Sequence, residues 1–164
     1  MYHASVPVFV RALNNLAAIL EKAAAHAESR KIDPAALINY RLFPDMLPFA
    51  KQIQIASDNA KAGAARLAGA EPPKYEDNEA TFPELIERLR KTVAFLETIK
   101  PEQIDGSEDK TISWKTQSGN RSMQGLPYLL NQVTPNVYFH VTTAYAILRH
   151  CGIEIGKQDF LGRS

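Results

Sequence analysis

The run Asn136–Gly152, Asn-Val-Tyr-Phe-His-Val-Thr-Thr-Ala-Tyr-Ala-Ile-Leu-Arg-His-Cys-Gly, sets the reading of this chain. Val137, His140, Val141, Ala144, Ile147, Leu148 and Cys151 recur at spacings of three and four, the signature of one helix face. Pro135 starts the helix, and Gly152 takes the C′ position, where a left-handed residue costs least. The run predicts a buried helix with a single inward histidine.

Working outward, Leu126–Val133 is apolar and reads as a helical lead-in. Before it, Thr111–Thr116 alternates in residue type, Gln117–Asn120 carries turn chemistry, and Arg121-Ser122-Met123 resumes. That pattern predicts a small β-hairpin whose Ile112, Trp114 and Met123 pack onto the helices, since an isolated hairpin is marginal in water. Three more helical stripes precede it. Thr81-Phe82-Pro83-Glu84 is a capping box, followed by Leu85, Ile86, Leu89, Val93, Leu96 and Ile99, with Pro101 as the stop. A second stripe is expected from near Asp45 to Leu67, with Pro48 in its first turn and Gly69 closing it. The first runs from Ser5, a plausible N-cap, to Ala27, and Asp33-Pro34 opens a short turn to about Asn39. Ala70–Ala80, with Pro72 and Pro73, lacks periodicity and reads as an extended crossing loop. The architecture expected is all-α: an up-down four-helix bundle with a β-hairpin inserted before the last helix, in one domain spanning residues 1–164.

Composition narrows the function. With 19 basic and 18 acidic side chains the net charge is +1, so no field concentrates nucleic acid or an anionic membrane surface. Cys151 is the one cysteine, which excludes an intrachain disulfide and fits a reducing compartment. Val6–Leu20 is apolar, but Arg11, Asn14 and Asn15 interrupt it and no basic region precedes it. A cytoplasmic protein without a membrane anchor is expected.

Candidates for chemistry are few. His140 and His150 stand about 15 Å apart along one helix axis, too far to share an ion. His140 therefore has two readings, a hydrogen-bonded core residue or a group facing a ligand, with Asn136 one turn away. His26 reads as exposed, His150 as a partner of the helix dipole, and His3 reaches a site only if the terminal segment folds inward. Cys151 sits at a helix C-terminus, whose partial negative charge disfavours a thiolate. Gln54 and Asp58 are four apart and share a helix face, so they join His140 in a mixed site if that face turns toward it.

Four long helices, a crossing loop after the second and a last helix ending Leu148-Arg149-x-x-Gly152 resemble the DinB/YfiT-like superfamily over nearly the whole chain. Met1–Leu13, Phe139–Gly152 and Asp159–Gly162 resemble, more narrowly, an uncharacterised DinB-like subfamily. The resemblance implies a homodimer and, in metal-binding members, a divalent ion held by a His-x-x-x-His pair on the last helix and a histidine from the second. Counting back from Gly152 puts the second of the paired histidines on His140 and the first on Asn136, and the second helix has no histidine. A degenerate site follows, with His140 the one retained position and no metal expected. The expected function is binding of a small molecule near His140, Asn136, Asp58 and Gln54. The alternatives are a metal-dependent, thiol-transferase-like enzyme using His140 with Asp58 or His3, and a non-catalytic structural bundle.

Overall fold

The computed structural model describes residues 1–116 and 119–162. After a 3-10 turn at Tyr2–Ala4 come α1 (Val6–Arg30), α2 (Pro34–Ile38), α3 (Phe49–Ala68), α4 (Phe82–Glu97) and α5 (Pro101–Ile104). The hairpin β1 (Thr111–Thr116) and β2 (Gly119–Gln124) follows, then α6 (Gly125–Pro127), a π-helical stretch Tyr128–Val133, α7 (Thr134–His150) and α8 (Lys157–Leu161). The chain is mostly helical, with one two-stranded antiparallel sheet. Among the described residues no helix is long and apolar enough to cross a membrane.

The local signals mostly hold, with three corrections. Thr81 and Glu84 form the expected reciprocal capping box. α3 begins at Phe49 rather than Asp45, because Pro48 is extended at the N-cap (φ −68°, ψ 164°) and disfavours helix at Leu47 before it. Ser5 stands at the N-cap of α1 without capping it, since its hydroxyl donates back to the Met1 and Tyr2 carbonyls. In the hairpin, β1 and β2 pair from Thr111↔Gln124 to Thr116↔Gly119, while Gln117 and Ser118 of the expected turn lie outside the described residues. Ile112 is buried and Trp114 packs 4.9 Å from the Tyr128 ring, but Met123 is exposed, because β2 is the outer strand and every one of its residues faces solvent.

The direction of the helices departs from simple up-down alternation. Glu21 pairs with Arg90 at 2.9 Å, and Ala27 and Lys31 share a cleft with Phe82, so α1 and α4 are antiparallel. α3 meets α7 at Gln52–His140, Gly63–Val133 and Arg66–Tyr128, which is also antiparallel. Phe49 packs on Phe82 while Asp58 pairs with Arg88, which makes α3 and α4 parallel. Two consecutive parallel helices need a connection as long as themselves. The 20 residues of α3 span about 30 Å, and Ala70–Ala80 can reach about 36 Å when extended. The crossing loop is therefore a strap lying back along α3 and α4.

Candidate functional site

His140 projects from α7 toward α3 and is buried, with 9% of the residue exposed. Its Nδ1 lies 2.7 Å from Gln52 Oε1. The Gln52 amide is itself oriented, because its Nε2 donates to the Leu47 carbonyl at 2.9 Å. With the nitrogen committed there, the oxygen must face the ring, so Nδ1 carries the proton. Burial pushes the His140 pKa below its ordinary value, favouring the neutral ring. Nε2 bonds to no described residue and is not an enclosed atom lacking a partner, so its lone pair opens to the ring's residual exposure. Phe139 stands edge-on to the ring at 5.1 Å and is 58% exposed.

The other predicted residues go elsewhere. Asn136 Nδ2 donates to the Gln132 carbonyl one turn back. Gln54 and Asp58 do share a face, but it turns toward α4 and the strap. Gln54 donates to Glu79 at 2.9 Å, and Asp58 takes Lys61 and Arg88. The α3 residue that meets His140 is Gln52. His3 lies edge-on to Tyr2 and His150 packs against Tyr40, and neither is a partner of His140. Cys151 is half-buried, and burial pushes its thiol pKa up.

Sequence reasoning missed two residues, Gln52 and Arg88. Gln52 follows Phe49 by three and precedes Ala56 by four, a polar residue inside the apolar stripe. Arg88 has the same signal, three after Leu85, and is 3% exposed. Its Nε donates to Ser57 Oγ at 2.7 Å, Nη1 to the Glu76 carbonyl and Glu79, and Nη2 to Asp58, with Asp77 at 3.0 Å. Burial works against this charge, and Glu79, Asp58 and Asp77 outweigh it. Lys61, 3.7 Å above the Tyr75 ring, is held below the usual lysine range by burial, which its bond to Asp58 only partly offsets. Every donor of Arg88 is spent within the protein, so this cluster clamps the strap.

Residues 1–161 match the family described as a domain of unknown function, DUF1993. The chain belongs to the DUF1993 family. A solved structure described as a DinB family member protein from Shewanella denitrificans shares 40% identity with this DUF1993 chain, covering 99% of it and 92% of that chain, with a TM-score of 0.93. The DinB-like resemblance therefore holds over the whole fold. No curated protein matches the chain.

The residues of this DUF1993 chain do not fit the three-imidazole metal site that the DinB resemblance implies. His140 supplies one imidazole, with Nδ1 spent on Gln52. Position 136 is an amide spent on backbone, and the α3 partner of His140 is an amide as well, a poor ligand for Zn²⁺ or Ni²⁺. Among the described residues no group of three His, Cys, Asp or Glu side chains is placed to hold an ion.

Proposed function

We propose that this DUF1993 protein binds a small molecule at the surface of α7, with His140 acting as a fixed, neutral hydrogen-bonding group in place of a metal ligand. The observation that carries this reading is the chain from the Leu47 carbonyl through Gln52 to His140, which spends Nδ1 and leaves Nε2 as a lone-pair acceptor. A buried glutamine holding one tautomer of an otherwise isolated histidine is a preorganised polar contact. Phe139 and Leu47, both exposed, offer apolar surface beside it. The same lone pair is chemically competent as a general base. We further read the four long helices as one closed four-helix bundle and the protein as a cytoplasmic homodimer, with exposed Phe43, Leu126 and Leu130 available for contact between copies.

The test uses protein purified without a histidine tag and then exposed to Zn²⁺ and Ni²⁺. The proposal expects substoichiometric metal, a proton on Nδ1 of His140 in heteronuclear NMR, and a small molecule from a broad thermal-shift library whose stabilisation disappears in His140→Ala. Stoichiometric metal that is lost in His140→Ala overturns it in favour of a metal-dependent enzyme. A folded His140→Ala protein with no ligand found for the wild type overturns it in favour of a structural bundle.

A further inference from the structure

α1 and α7 meet along a seam at one side of the fold. α8 lies over that seam. Arg11 Nε donates to the Leu161 carbonyl and Asn15 Nδ2 to the Phe160 carbonyl, both at 3.1 Å, while Lys22 pairs with Asp159 at 2.6 Å. Phe160 stands edge-on to Tyr145 of α7 at 5.8 Å. No residue of α8 is fully buried.

Beneath α8 is a cleft of about 270 Å³. Val8 and Ala12 of α1, Val141 of α7 and Phe160 of α8 give it an apolar lining, and Arg11 and Tyr138 stand in its wall. Arg11 spends only its Nε on the protein, and its two Nη groups have no partner among the described residues. A guanidinium fork with free Nη donors beside an apolar recess matches a planar carboxylate carrying a hydrocarbon tail. The volume is near the lower end for small-ligand sites, which limits that tail to a few carbons or one ring.

We propose that this cleft is a second ligand site, taking a small monocarboxylate with an apolar tail, and that α8 is its lid. The carboxylate sits on the Arg11 fork and the tail lies between Val8, Ala12 and Val141, under Phe160. The site is independent of His140, which projects from α7 toward α3 rather than toward α1.

The test is an amide NMR titration of the full chain with hexanoate, compared with hexanol, which lacks the charge, and acetate, which lacks the tail. Hexanoate should saturate with a Kd on the order of 1 mM, shifting amides in residues 8–15, 138–145 and 157–162. Hexanol and acetate should each bind about tenfold or more weakly. Arg11→Gln should lose the preference for hexanoate over hexanol, and Val141→Trp, which fills the recess while keeping Arg11, should abolish binding. His140→Ala should bind hexanoate as the wild type does, which separates this site from the one proposed above. Thermal melts check that each variant folds. Absence of saturation at about 20 mM, equal binding of hexanoate and hexanol, or undiminished binding by a folded Arg11→Gln protein overturns the proposal.

Discussion

Replacing Arg88 by methionine tests what holds the strap in place. Arg88 is 3% exposed, and its guanidinium serves three carboxylates, Ser57 and the Glu76 carbonyl. Its loss strands those carboxylates unequally. Asp58 is 42% exposed and keeps Lys61, and Asp77 is 40% exposed and keeps Lys51. Glu79 is 12% exposed and keeps only the Gln54 amide. Breaking a fully buried pair costs about 3–5 kcal/mol. With one carboxylate seriously stranded, the expected loss is at the low end, about 3 kcal/mol. At about 2–4 °C per kcal/mol, that lowers Tm by about 6–12 °C. Denaturant unfolding gives the free energy, and hydrogen exchange should show amides of residues 70–80 opening faster than in the wild type. Adding Glu79→Gln removes the stranded charge and should recover about 1 kcal/mol or more, a coupling a double-mutant cycle measures. An Arg88→Met protein within about 1 kcal/mol of wild type, with unchanged exchange in the strap, refutes the reasoning.

Gly63→Ala places a Cβ 2.3 Å from Val133 Cγ1 where α3 crosses the π-helical stretch. The overlap should cost about 1–3 kcal/mol despite alanine's better helix propensity, and Gly63→Ala with Val133→Ala should lose less than the two single costs summed, read by denaturant unfolding. His140 gives a pH signature whose sign follows from its lowered pKa. The unfolded chain binds this proton more readily, so the contribution to stability is complete above about pH 6.5 and is lost as pH falls through the lower folded-state pKa. His140→Gln should flatten that part of the stability-pH profile, and an unchanged profile contradicts a buried neutral ring.

The helices were legible in the sequence because each depends on neighbours three and four residues away. The stripe from Val137 to Cys151, the capping box at Thr81 and Glu84 and the close at Gly69 are all local chemistry. α3 starts later than the expected Asp45 for a local reason too, since Pro48 acts on the residue before it as well as on its own turn. The site was only half legible. His140 stands out as an inward histidine, but the pattern points to Gln54 and Asp58 and passes over Gln52, because a polar residue at the edge of a stripe looks more available than one within it. Gln52 and Arg88 carried the stronger signal, a polar group at a core position, which must find a partner across a helix interface.

The sequence by itself determined the long helices, the faces they bury and that one histidine points inward. Tertiary structure alone decided the parallel course of α3 and α4, the role of the strap, and whether Asp58 or Gln52 would face His140. Periodicity fixes the angle of a residue about its own helix axis, but not which neighbour fills that angle. That is set by how helices far apart in sequence share one core, and in this chain it sent Asp58 to Arg88 and His140 to Gln52.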